Sequence, residues 1–156
     1  MDTQDEEILN LWRKLHENSV AYIMVGGFAT NLHGFNRITG DLDLWIKDTK
    51  ENRSLFRKSL KEIGCGDFTI PETGELLPGW SELHLPSGFI LDVMTSLQGF
   101  AQEQFDSSLK IAPTALIHEI PVPFLHLNQL IEAKEATARP KDILDVIELK
   151  KLRGDS

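Results

Sequence analysis

The sequence predicts an α/β fold of the α+β kind: a mixed, twisted sheet packed against helices, with more helices at the C-terminal end. Three observations carry this expectation. An apolar run, Val20 to Val25, has the composition of a buried strand and ends in Gly26-Gly27. The stretch Asp41 to Ile46, DLDLWI, alternates acidic and apolar residues, the period-2 signature of a strand with two unlike faces. Amphipathic helical patterns alternate with these runs and close the chain.

Taken in order, residues 4 to 17 place Ile8, Leu11, Trp12 and Leu15 on one helical stripe, and Asn18-Ser19 breaks the pattern. After the strand Val20 to Val25, a short helix is expected from about Gly27 to Leu32, with Gly34 able to stop it. In the second strand Asp41, Asp43 and Trp45 share one face, and Leu42, Leu44 and Ile46 share the other. Glu51 to Ile63 is a second amphipathic helix, with Leu55, Phe56, Ser59, Leu60 and Ile63 inward, ended by Gly64-Cys65-Gly66. Phe68 to Trp80 is rich in Pro and Gly and is expected as a loop.

Glu82 to Leu85 and Phe89 to Met94, joined by Pro86-Ser87-Gly88, predict a β-hairpin. In its second arm Ile90, Asp92 and Met94 face one way. A weak helix is expected over Gln98 to Ser107, and short extended pieces over Ile111 to Val122. Leu125 to Thr137 reads as helical. Pro140 suits the first turn of a last helix, which runs to about Leu152 with Leu144, Ile147 and Leu152 expected inward. The expected organisation is one domain over residues 1–156, with a core at about 20–122 and C-terminal helices at about 125–152.

Composition narrows the function classes. A formal net charge of −8 over 156 residues argues against a broad grip on nucleic acid, which needs a basic face. One cysteine, Cys65, allows no internal disulfide and no cysteine-rich zinc site. No apolar stretch reaches the ~20 residues of a membrane span. The acidic start lacks the pattern of a secretory signal, so a cytoplasmic location and no membrane partner are expected.

Two aspartates two apart on a strand, Asp41 and Asp43, project from one face and repel each other unless a cation joins them, and Mg²⁺ is the natural partner. A lone D-x-D pair more often marks an acidic surface strand. Two features shift that balance. Gly26-Gly27 lets backbone approach a ligand closely, and the helix start offers free N–H groups to an anion. Asp92 lies among apolar residues in FILDVM, where a carboxylate needs a partner or a shifted pKa. Three such carboxylates beside a glycine cradle form a coherent two-metal site. Arg37 and Lys134 are further candidates to meet a phosphate. For Arg37 a structural pairing with an aspartate is as good an account, and for Lys134 so is a solvated helix face. Thr39 and His33 are read as structural. Asp142 and Asp145 are explained by their place near a helix N-terminus alone.

The segment GGFATNLHGFNRITGDLDLWI resembles the signature of the nucleotidyltransferase superfamily, the DNA polymerase β-like fold. That signature is a Gly-Gly or Gly-Ser pair after the first core strand, D-x-D on the second, and a third Asp on a later strand. The order G-G-x-A, H-G, R-x-T, D-x-D is similar to small bacterial antibiotic nucleotidyltransferases and to abortive-infection or toxin–antitoxin nucleotidyltransferases. The close match covers Tyr22 to Ile46, and Asp92 extends it. The run of Lys134, Arg139, Lys141, Asp142 and Asp145 is similar to a tail in that bacterial group. The resemblance implies that Gly26 and Gly27 hold a triphosphate through backbone N–H groups. It implies that Asp41 and Asp43 bind both Mg²⁺ ions and that Asp92 binds the catalytic metal and acts as base or orients the attacking hydroxyl. Where Gly-Ser members have a hydroxyl, this chain has Gly27, which leaves only the backbone to the phosphate. The implied reaction moves AMP from ATP, or another nucleoside monophosphate from its triphosphate, to a hydroxyl. The acceptor stays open between a small molecule, a protein and a tRNA, and a second copy of the chain could complete its pocket. The rival expectation is a non-catalytic nucleotide-binding protein that kept the fold.

Overall fold

The computed structural model describes residues 3–34, 41–65, 80–137 and 139–154. Arg37, Thr39 and the expected loop at Phe68 to Trp80, up to residue 79, lie outside the described residues.

The first helix, α1 (Thr3–Glu17), forms on its apolar stripe: Leu11, Trp12 and Leu15 are buried. The strand β1 (Tyr22–Val25) is buried throughout, and α2 (Gly26–Leu32) follows with no linker. Next come β2 (Asp41–Ile46) and α3 (Lys50–Glu62), which Thr49 caps by accepting the Asn52 N–H at 3.1 Å. The hairpin strands are β3 (Trp80–His84) and β4 (Ile90–Met94). These four strands make one sheet in the order β1-β2-β4-β3. The β1–β2 and β3–β4 pairs are antiparallel, and the central β2–β4 pair is parallel, so the sheet is mixed as expected.

Strand alternation and register sort the side chains onto two faces. Tyr22, Met24, Leu42, Leu44, Ile46, Leu91 and Val93 share the first face. The Trp12 ring stacks on Tyr22 with centroids 5.9 Å apart, which lays α1 over that face. Beside α1, α3 buries Phe56 and Leu60, and Asn18 Nδ2 donates to Ser59 Oγ at 2.9 Å between them. Asp41, Asp43, Trp45 and Asp92 share the second face. There Trp45 is fully buried against Phe100 and Phe105, with ring centroids 6.2 and 5.2 Å away, and its Nε1–H donates to the Thr95 carbonyl at 2.9 Å. Trp45 therefore serves the core at one end of this face, and the aspartates are left at the other.

Two expectations need correction, and one is borne out with added topology. The helix expected over Gln98 to Ser107 forms later, as α4 (Phe105–Ile111), after a single 3₁₀ turn at Gln102–Gln104. A tight turn from Leu97 to Phe100, closed by both backbone hydrogen bonds and with Gly99 at φ +87°, occupies the earlier positions. The extended pieces expected after residue 111 form, and they pair as a hairpin of β5 (Thr114–Ile117) and β6 (Ile120–Pro123). Its second arm meets β1 only at the Met24–Phe124 bridge. Phe124 N–H donates to the β5 side and Leu125 N–H to Met24, so alternation points the nitrogens of Pro121 and Pro123 toward β1. They carry no hydrogen, and the ladder cannot extend.

The second correction concerns the last helices, α5 (Leu127–Thr137) and α6 (Pro140–Arg153). Leu144, Ile147 and Leu152, expected inward, are about half exposed. The inward residues of α6 are Asp142, Asp145, Val146 and Leu149. The reason is Lys134 on α5, which is itself buried. A buried ammonium without carboxylates costs more than the exposure of a few aliphatic groups, so the two aspartates set the rotation of α6. No helix among the described residues is long and apolar enough to cross a membrane.

Candidate active site

Parallel pairing of β2 with β4 sets Asp43 directly beside Asp92. Asp41, two residues before Asp43 on the same face, completes a triangle in which one carboxylate oxygen from each residue lies within 4.8 Å of the other two. Among the described residues this is the group whose geometry suits a metal ion. Asp92 is 9% exposed. Burial pushes its carboxyl up to about 7, helped by its hydrogen bonds to Asp41 and Asp43 and by their charges. Burial and then the Asp41 charge push Asp43 up to about 6, against the favourable charges of Lys134 and Lys141. Three carboxylates held this close without compensation repel one another, and the all-oxygen donor set fits a hard divalent cation such as Mg²⁺.

Gly26 packs against this cluster. Its φ is +69°, and a Cβ there would sit 2.0 Å from Asp43 Oδ2. Glycine is required on both counts. Val25 offers no side-chain cap to α2, so the first N–H groups of that helix are not claimed by an N-cap side chain. Thr30 Oγ1 instead donates to the Gly26 carbonyl at 3.1 Å, which fixes the turn from behind. Gly27 is buried in the same first turn.

A cleft of about 500 Å³ opens from Gly26 and Asp43 toward α5 and α6. Met94, Leu97 and Leu130 give it an apolar wall, and Lys134, Thr137 and Arg139 a polar one. Lys134 is 7% exposed and donates to Asp145 at 2.9 Å, with Asp142 at 3.7 Å. Asp142 also accepts from Thr137 Oγ1 and Arg139 Nε, both at 2.6 Å, and these neighbours hold its carboxyl below the ordinary range despite burial. Lys134 thus reaches the cleft that holds Asp43, anchored by carboxylates and not on a solvated face.

Asp142 and Asp145, expected as helix-dipole partners and as part of a tail similar to the bacterial group, pair with Lys134, and Thr137 joins them although nothing in the sequence singles it out. The signal that could have found them is Lys134 itself: a lysine on an inward helix position needs carboxylates within reach, and the next helix supplies two. His33 is structural as expected. Its Nε2 meets the Leu125 carbonyl at 2.7 Å, its ring lies edge-on to Phe124, and burial lowers its pKa. Cys65 is buried, and burial raises its thiol, which leaves it a poor nucleophile.

No protein-family model matches the sequence, and no curated protein matches it. Solved structures do. An antigenic nucleotidyltransferase-like protein from Paracoccidioides brasiliensis is similar with a TM-score of 0.58 at 20% identity, over 97% of this chain and 78% of that one. A protein of Thermotoga maritima described as a candidate nucleotidyltransferase is similar with a TM-score of 0.58 at 14% identity, over 99% and 96% of the two chains. The antibiotic-resistance factor ANT(2'')-Ia, in complex with adenylyl-2''-tobramycin, is similar with a TM-score of 0.51 at 17% identity, over 98% and 96%.

Proposed function

On the nucleotidyltransferase fold that this chain adopts, we propose that the cleft at Asp41, Asp43 and Asp92 transfers a nucleoside monophosphate, AMP from MgATP, to a hydroxyl acceptor and releases pyrophosphate. The observation that carries this reading is the convergence of three carboxylates within 4.8 Å against a glycine backbone at the mouth of a cleft.

In this reading Asp41, Asp43 and Asp92 would hold two Mg²⁺ ions, whose charge would compensate that of the triphosphate. The backbone N–H groups of Gly26 and Gly27 bind phosphate oxygens. The apolar wall takes the base, and Lys134 places one positive charge beside the phosphates. The acceptor oxygen bonds to the α-phosphorus as the bond to pyrophosphate breaks. Asp92 takes the hydroxyl proton or orients the attacking hydroxyl, as a carboxylate within reach of the acceptor. A neighbour that holds an adenylylated small molecule supports adenylyl transfer as the reaction type. The net charge of −8 disfavours RNA as acceptor relative to a small molecule or a protein.

Calorimetric titration of MgATP, followed by pyrophosphate release with a panel of hydroxyl acceptors, tests the proposal. Replacement of both Asp41→Asn and Asp43→Asn is expected to abolish metal-dependent nucleotide binding and to leave the far-UV spectrum unchanged. Unaltered nucleotide affinity in that variant overturns the site. Binding without turnover on any acceptor would support the rival, a non-catalytic nucleotide-binding protein on the same fold.

A further inference from the structure

Four of the six large apolar side chains exposed among the described residues lie on α6: Ile143 at 53%, Leu144 at 55%, Ile147 at 47% and Leu152 at 49%. At about 3.6 residues per turn, Pro140, Ile143, Leu144, Ile147 and Lys151 form one outward stripe opposite the buried Asp142, Asp145, Val146 and Leu149. The helix is inverted, with carboxylates inside and aliphatic groups outside. Clustered apolar surface with a charged rim marks an association site, whereas scattered single residues do not.

We infer that this stripe is the interface of a two-fold homodimer, in which α6 packs antiparallel against α6 of a second copy. The choice of a second copy rests on charge. Lys141 and Glu148 are seven residues apart, so they lie on the same flank of the stripe, one heptad from each other. Antiparallel pairing brings like flanks together. A two-fold axis near Leu144 then sets Lys141 of each copy opposite Glu148 of the other, twice by symmetry. The same axis sets Ile147 against the Pro140 and Ile143 of the second copy.

The other flank sets Arg139 of each copy opposite Lys150 of the other, and both charges are already paired within their own chain, Arg139 with Asp142 at 2.6 Å and Lys150 with Glu135 at 3.6 Å. Glu148 now contacts Lys151 at 3.3 Å, but that pair is exposed and free to be shared. Antiparallel helices also align their dipoles favourably. The inner face of α6 and its N-terminal approach supply Asp142 and Arg139 to the cleft, so pairing through the outer face leaves the cleft open. A stripe on one 14-residue helix is small beside the ~800 Å² per partner of a standard interface. The dimer is therefore weak and concentration-dependent.

Sedimentation velocity on the full chain, from low micromolar to near-millimolar concentration, tests this. The expected result is a reversible rise from monomer to dimer mass. Ile147→Glu, and separately Leu144→Glu, should keep the protein monomeric throughout while the far-UV spectrum stays native, since both positions are exposed. Lys141→Glu and Glu148→Lys should each weaken the dimer about tenfold or more, and the two together should restore it by exchanging the charges. A chain that stays monomeric at every concentration overturns the inference, whatever other protein it binds. So does a dimer insensitive to Ile147→Glu, or a double charge exchange that fails to restore what the single exchanges lose.

Discussion

A side chain at residue 26 has no room, because Asp43 fills the space: a Cβ on Gly26 would stand 2.0 Å from Asp43 Oδ2 and 2.8 Å from its Cγ. The first turn of α2 and the second aspartate of β2 are therefore one packing unit. Gly26→Ala must strain a φ of +69° and also push the carboxylate away. The left-handed backbone alone costs about 1–2 kcal/mol, so a total loss of about 2 kcal/mol or more is expected in urea unfolding. The displaced Asp43 should also abolish any stabilisation by Mg²⁺. A variant with wild-type stability and an intact Mg²⁺ response would contradict the contact.

The raised carboxyls of Asp43 and Asp92 predict a stability that falls with pH. Both bind protons more readily in the folded chain than at their ordinary 3.8, up to about 6 and about 7. Their contribution is thus fully present in acid and is lost as pH rises through those values. In metal-free buffer the melting temperature should drop between about pH 4 and pH 7, and Mg²⁺ should flatten the profile by compensating the charges. Asp142, with its depressed pKa, acts in the opposite sense but only at the acid end below this window. Asp92→Asn should raise the melting temperature of the metal-free protein at neutral pH and remove most of its response to Mg²⁺. A metal-free profile that does not slope would count against the repulsion.

Lys134 holds Asp142 and Asp145 in a nearly dry environment. Lys134→Met should leave two buried carboxylates short of their partner and cost about 3–5 kcal/mol. Addition of Asp145→Leu to that variant should recover part of the loss, since it removes the stranded charge as well. Equilibrium unfolding of the two single variants and the double variant reads the coupling directly. Purely additive losses would mean that the pair does not interact.

Asn52 ties α3 to the outer end of β1 and β2. Its side chain accepts the Ala21 N–H at 2.7 Å and donates to the carbonyls of Ala21 at 2.9 Å and Lys47 at 2.8 Å. Asn52→Ala should cost about 2–3 kcal/mol, because buried backbone groups lose their partners. Hydrogen exchange should show the loss as faster opening of the Ala21 amide. A change of under about 0.5 kcal/mol would show that water replaces the amide there.

Much of the fold was legible because it follows from periodicity. Leu11, Trp12 and Leu15 on α1, and the alternation of DLDLWI on β2, place themselves once burial of apolar surface is required. The glycine pair and D-x-D announced a site by the same local logic. The rotation of α6 was not legible, since its aliphatic residues suggest an inward stripe that two aspartates override. The β5–β6 hairpin was hidden for a related reason. Its turn residues, His118 at φ +48° and Glu119 at φ +69°, carry none of the glycine or asparagine that advertises such a turn.

By itself the sequence determined the spacing of Asp41 and Asp43 on one strand face, the glycine before them, and the buried character of the strands. Those are properties of neighbours along the chain, set by backbone geometry over a few residues. Only the tertiary structure decided that Asp92 stands beside Asp43, since this depends on β4 pairing parallel to β2 across residues far apart in sequence. It also decided that Lys134 turns inward and draws Asp142 and Asp145 with it. Buried charges are settled by which partners the whole fold brings within reach, because the cost of leaving one unpaired exceeds any local preference of the helix that carries it.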